Sequence, residues 1–461
     1  MLKKHFFTGL CCIALFFSAF LSTSNAAVAV GHTFSNHMVL QRDMNVPVWG
    51  TATPGEKVIV TFNGQTKNIV TPETGKWMVK LSPMKAAGPL TMTIQGTNTL
   101  TFTDAYVGEV WQCAGQSNMD TRMNFYPGYK DTITNTNIPL LRFMVTRKGP
   151  DDWTIMTPET AGLCSATGYF FGKEIQKTLG CAVGLVVTAV GGTYVERWYD
   201  PATIAANKDL PVAKKLIMGD MYDQFVAPVI PFAMRGTIWF QGEQNTTDSI
   251  SAPTYGDRFK KLIKGWRAVW GQGDFPFYFA QLTSDRNGEA PDFKSRIVMV
   301  REGQRQATSL PNTAMTVNYD LSGGGWHFAK KYEAGQRLAL IPKALLYGQK
   351  NLEYLGPVYQ SMKVKGNVIR LTFAHIGSGL ITKDGSAPIG FFIAGKDGVW
   401  FPSTSSSIEG KDVILSSSNV SAPEKVCYGY GDKPKFNLYN KEGLTASPFC
   451  TDTPVPVIYK K

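Results

Sequence analysis

The chain has 461 residues, more than the ~100 to 200 of one domain, so it is long enough for a large core and two or three domains. Its formal charge of +12 is spread along the sequence without a long Lys/Arg block, which argues against a nucleic-acid surface, where basic residues cluster with aromatics on one face. Pairs such as Lys260-Lys261 and Lys330-Lys331 fall in amphipathic helical patterns and read as solvated helix faces, and a diffuse positive field would at most attract acidic sugars.

Lys3 and Lys4, an apolar run over residues 6–21 and the small residues Ser24-Asn25-Ala26 make residues 1–26 an expected signal peptide. The run is shorter than the ~20 residues of a spanning helix and no later run is longer. The expectation is therefore a secreted or periplasmic protein with no membrane insertion after signal removal. Beyond the leader stand Cys113, Cys164, Cys181, Cys427 and Cys450, an odd number without a Cys-x-x-Cys pair, so a fully paired disulfide framework is excluded. In an oxidising compartment, Cys427 and Cys450 are the candidates for one bridge.

Residues 27–104 read as an all-β module: short runs such as Val46-Pro47-Val48-Trp49 and Val58-Ile59-Val60-Thr61-Phe62 are separated by turn signals, with Asn63-Gly64 as a hairpin turn. Residues 105–348 alternate strand and helix patterns, as in an α/β domain on a mainly parallel sheet. Strands are expected at 105–113, 183–190, 236–240, 275–282 and 314–319. Helices are expected at 169–179, at 259–270 through Phe259, Leu262, Ile263, Trp266 and Trp270, and after His327 through Tyr332, Gly335, Leu338 and Ala339. Residues 349–461 are β-rich again, a module that could pack with the N-terminal one.

In open α/β sheets ligands bind beyond the carboxyl ends of the strands. Those exits carry Gln116-Ser117-Asn118, Gly191-Gly192, Gln241-Gly242-Glu243-Gln244-Asn245, and Asp320 followed by Gly323-Gly324-Gly325-Trp326-His327. Ser117, at a turn from strand to helix, is the candidate nucleophile, although a serine in such a turn is more often only a helix cap. A serine needs a base, and His327 is the histidine that follows a strand exit in the same domain. The Ser117 backbone, Gly191, Gly192, Gln241 and Asn245 are candidate oxyanion donors. Gln116, Glu243 and Trp326 are candidate substrate contacts, although for Glu243 holding a loop is slightly the better reading. Trp111, Trp198 and Trp239 are candidates for sugar stacking or for packing. Histidines this dispersed, with no Cys/His cluster, give no expectation of a metal.

Several longer motifs extend these signals: His37-Met38-Val39-Leu40-Gln41-Arg42, Val48-Trp49-Gly50, Gly108-Glu109-Val110-Trp111, Gly115-Gln116-Ser117-Asn118-Met119, Gly191-Gly192-Thr193 and Trp239-Phe240-Gln241-Gly242-Glu243 with Asn245. Further on stand Pro276-Phe277-Tyr278 with Gln281-Leu282, Arg301-Glu302 with Gln304, Asn437-Leu438-Tyr439-Asn440 and Ala446-Ser447-Pro448-Phe449. In this order and over nearly the whole chain they resemble the sialate O-acetylesterase family, a branch of the SGNH hydrolases. The resemblance implies an SGNH-type three-layer α/β/α domain flanked by sandwich-like β regions, and removal of O-acetyl groups from sialic acid or an acetylated polysaccharide without a cofactor. It also implies Ser117 as nucleophile and His327 as base. The family pattern has an aspartate two or three residues before that histidine, where this chain has Gly325 and Gly324. Either Asp320 reaches back across the glycines, or a backbone carbonyl orients a Ser-His dyad, or the protein is a weak or inactive relative that binds glycans.

Overall fold

The computed structural model describes residues 27–147, 152–283, 288–323, 325 and 327–452, so the signal-peptide segment, Gly324 and Trp326 lie outside the described residues. The N-terminal strands form as their alternation predicts. Lys57–Phe62 pairs antiparallel with Gln65–Val70 across Asn63-Gly64, both at positive φ, while Val46–Thr51 pairs with Lys76–Leu81.

The strand Ala87–Gln95 pairs with the first half of Thr99–Gly115, whose second half becomes the middle strand of the α/β domain. The module limit expected after residue 104 falls inside this one continuous strand.

The α/β sheet runs Thr154–Met156, Ile138–Val145, Val183–Ala189, Thr99–Gly115, Gly236–Phe240, Phe277–Ala280, Thr313–Thr316, parallel except at the first edge. Alternate residues face opposite layers. Trp111, Leu185, Ile238 and Tyr278 pack with Tyr169, Phe171 and Leu338 of the helices Ala166–Leu179 and Lys331–Leu345. Val110, Val186, Trp239 and Phe277 pack with Phe259, Leu262 and Trp266 of the helix Tyr255–Trp270. Because both faces are covered, strands such as Val183–Ala189 are buried throughout and carry no polar alternation.

The strands Ile138–Val145 and Thr154–Met156 are absent from the sequence expectations. Arg142 interrupts the apolar pattern of the first, yet it is buried, donating to the carbonyls of Pro139, His37 and Asp104 and pairing with the Asp104 carboxylate at 3.0 Å. A buried arginine whose charge partner and most acceptors come from distant segments reads, in sequence, as a surface residue.

The C-terminal strands enclose a core of their own around Ile369, Leu371, Phe373, Val413, Leu415, Val426 and Phe449. Cys427 and Cys450 face each other on the antiparallel strands Lys425–Tyr428 and Phe449–Cys450 and are disulfide-bonded, while Cys113, Cys164 and Cys181 are free thiols. This module docks on the α/β domain, with Arg301 donating to the Gly431 carbonyl and the Tyr319 hydroxyl to that of Ala446. No hydrogen bond or ion pair joins it to the N-terminal strands among the described residues. No described helix is long and apolar enough to cross a membrane.

Candidate active site

Gly115 ends the middle strand at φ +132°, and a β-carbon there would collide with the backbone of Phe240 on the neighbouring strand. The absence of a side chain lets the chain turn immediately. The Gln116 N–H donates to the Phe240 carbonyl at 2.9 Å, and a single helical turn, Ser117–Asp120, begins. Ser117 is half-buried at the start of that turn, and its Oγ has no hydrogen-bond partner among the described residues. Its carbonyl accepts from Thr121 N at 2.8 Å and Thr121 Oγ1 at 2.5 Å, which locks the turn behind it.

The glycine pair lies against Ser117: a β-carbon on Gly191 would stand 3.5 Å from Ser117 Cβ. The Gly191 N–H donates to Asp120 Oδ2 at 3.1 Å, and that carboxylate is also paired with Arg147 at 2.8 Å. Burial nevertheless raises the Asp120 pKa, against these favourable contacts. With Gly191 engaged, the N–H groups of Ser117 and of Gly192, which follows Gly191, have no acceptor among the described residues.

Gln241 and Asn245, expected as oxyanion donors, are held by each other and by Thr193 and Glu196. Gln241 is buried and donates through Nε2 to the Thr193 carbonyl and to Asn245 Oδ1, at 2.9 and 2.7 Å. Asn245 is likewise buried, donating to Glu196, itself ion-paired with Arg258 at 2.7 Å. Both amides thus brace the loop from within. Gln116 is also structural, since its Oε1 accepts from the N–H groups of Gly242 and Gln244 at 3.3 Å. Glu243, expected as a substrate contact or a support, is buried and accepts from Asn118 Nδ2; burial raises its pKa. Trp111, Trp198 and Trp239 are fully buried, so they pack the core and offer no stacking surface.

Asp320 does not reach back to the histidine. Its carboxylate forms a forked ion pair with Arg337, at 2.6 and 2.7 Å, and the Tyr439 hydroxyl lies at 3.5 Å. It ties the end of the sheet to the helix Lys331–Leu345. The His327 ring is largely exposed and has no hydrogen bond to Ser117, Asp320 or any other described residue. Its pKa is lowered, first by partial burial and then by the nearby Lys331 charge. The next residue, Phe328, is buried against Phe240, with ring centroids 5.9 Å apart, so the histidine segment docks on the strand beside the one that leads to Ser117.

Sequence reading also missed Lys331. It is fully buried, with Nζ donating to Asn118 Oδ1, where the paired lysines at 330 and 331 suggest a solvated face. The apolar residues at 334, 335, 338 and 339 put position 331 on the buried side of the helix, the one signal that marks it. Among the described residues no group of three or more His, Cys, Asp or Glu side chains is placed to hold a metal ion.

This fold, with a half-buried serine at the end of its middle strand, defines the class. A carbohydrate acetylesterase from Xanthomonas citri superposes with a TM-score of 0.86 at 33% identity, over 93% of this chain and 100% of that one. Sialate O-acetylesterase of Homo sapiens is 27% identical over 410 residues, 76% of this chain and 78% of that protein; its counterpart from Mus musculus is 28% identical over 420, 73% and 77%. The fold is thus that of a carbohydrate esterase, and the protein is a carboxylic ester hydrolase. Residues 107–342, a little over half of the chain, match the profile of the carbohydrate esterases described as sialic acid-specific acetylesterase, and the chain belongs to that family.

Proposed function

We propose that the protein is a secreted serine esterase that removes O-acetyl groups from carbohydrates. Ser117 Oγ attacks the acetyl carbonyl carbon as His327 takes the hydroxyl proton. The N–H groups of Ser117 and Gly192 hold the oxyanion of the tetrahedral intermediate. Its collapse breaks the ester bond, the sugar oxygen leaves with the proton from His327, and water then releases acetate from the acetyl-Ser117 by the same steps. Residues 1–26 serve export, 27–104 and 349–461 flank the catalytic unit at 105–348, and the substrate is an acetylated sialic acid or an acetylated polysaccharide.

The observation that carries this reading is a serine hydroxyl at the carboxyl end of the middle strand, beside a glycine turn, with neither that hydroxyl nor the Gly192 N–H having a partner among the described residues. The test is hydrolysis of an aryl acetate by the wild type and by Ser117→Ala, followed by acetate release from a panel of acetylated glycans. Equal turnover by the two proteins ends the assignment. A second reading, glycan binding without catalysis, is favoured by the engagement of Asp320 with Arg337. It predicts glycan binding that survives Ser117→Ala and no acetate released by the wild type.

A further inference from the structure

Lys331 begins a helix four residues after His327, and its ammonium is enclosed by protein. Nζ donates to Asn118 Oδ1, Asn118 Nδ2 donates to Glu243, and the Phe328 ring centroid lies 3.8 Å from Nζ. The rings of Tyr126 and Phe240 complete the enclosure at 5.8 and 5.7 Å. Burial lowers its pKa to about 7, with the Glu243 charge acting in the opposite direction. Glu243 is the carboxylate facing it, and its Oε2 has no hydrogen-bond partner among the described residues. A buried charge linked to its counter-charge through one neutral amide is a poor source of stability, so its placement calls for another reason.

The arrangement supplies one. Asn118 directly follows the nucleophile, and Lys331 lies on the segment that carries the base, so the Nζ to Asn118 hydrogen bond joins the two. On the other side, the Tyr129 hydroxyl donates to the Ala329 carbonyl and accepts from the N–H groups of Lys331 and Tyr332, at 2.9 and 3.1 Å. The histidine segment is thus fastened at residues 329, 331 and 332, while the imidazole has no orienting acid among the described residues.

We infer that Lys331 is a positioning residue for ester hydrolysis: through Asn118 it holds the Ser117 turn against the His327 segment, and it sets an ionisable amine near the imidazole that accepts the serine proton. The inference rests on Ser117 and His327 being nucleophile and base. Lys331 is the charged group that acts on His327, and Glu243 the one that acts on Lys331.

The experiment compares wild type, Ser117→Ala, Lys331→Met, Lys331→Arg and Glu243→Gln on an aryl acetate across pH, with thermal unfolding as a check on folding. Lys331→Met is expected to lower kcat about 10- to 100-fold, with KM within about twofold, because misplacing the reacting groups affects chemistry more than binding. Loss of the charge is expected to move the acid limb of kcat/KM to higher pH, and Lys331→Arg, which keeps the charge, to return it toward the wild-type position. Should Lys331→Met not fold, Glu243→Gln removes the carboxylate that favours the charged amine and is expected to move the limb the same way by less. An inactive Ser117→Ala together with an unmoved acid limb in folded Lys331→Met, or in Glu243→Gln where that variant replaces it, overturns the inference and leaves the esterase reading standing. Full activity in Ser117→Ala overturns the esterase reading itself.

Discussion

The turn that carries Ser117 and the segment that carries His327 are built differently. The serine side is determined by backbone: Gly115 fits a place no side chain can enter, Gln116 is tied to Phe240, and the Ser117 carbonyl is bonded twice to Thr121. The histidine side follows a run of glycines and is held by side chains from elsewhere, the Tyr129 hydroxyl, the Lys331 bond to Asn118 and the Phe328 contact with Phe240. Backbone constraint makes the Ser117 turn rigid, whereas tertiary side-chain contacts place the His327 segment, so the two halves should respond differently to mutation.

The largest effect is expected from Ser117→Ala, where removal of the hydroxyl should cut kcat/KM by about 10⁴-fold or more without changing the unfolding midpoint. Asp320→Asn comes next and separates two roles. As half of a buried ion pair with Arg337 it should cost about 3 kcal/mol in denaturant unfolding, because the guanidinium loses its counter-charge. Its kcat in the folded fraction should stay within about tenfold of wild type, whereas an orienting triad acid would give losses of about 10⁴-fold. Tyr129→Phe is a milder probe of the histidine side alone. Without the hydroxyl, the N–H groups of Lys331 and Tyr332 lose their acceptor, and a stability loss of about 1 kcal/mol with a fall in kcat of up to about tenfold is expected. The smallest effect is read in the wild type. Partial burial and the Lys331 charge disfavour the imidazolium, so the His327 ring stays neutral below its ordinary pKa of 6.5, and with His327 as the proposed base the acid limb of kcat/KM should lie on the acidic side of that value.

Much of the fold was legible because its signals are local. The Asn63-Gly64 turn, the apolar runs at Val183–Ala189 and Gly236–Phe240, and the spacing of Phe259, Leu262 and Trp266 all point to the elements that form. Ile138–Val145 escaped because the contacts that satisfy Arg142 come from residues near positions 37 and 104. In the site, the position of Ser117 followed from a strand exit, but the tasks of Gln116, Gln241, Asn245 and Asp320 did not. A polar residue near a nucleophile looks the same in sequence whether it faces the substrate or a buried partner. The partners that decide the matter, Gly242 and Gln244 for Gln116, Thr193 for Gln241, Glu196 for Asn245 and Arg337 for Asp320, are brought in by other elements.

Periodicity, turn residues and ordered motifs along the chain were enough to establish an α/β esterase with β-rich flanks and to single out Ser117, since each depends on neighbours within a few residues. Which amide protons beside Ser117 are left without acceptors, and that Lys331 is interior and Asp320 belongs to Arg337, emerged only when strands and helices distant in sequence came together. Hydrogen bonds and burial are properties of three-dimensional proximity, and a linear pattern carries no record of which partner arrives.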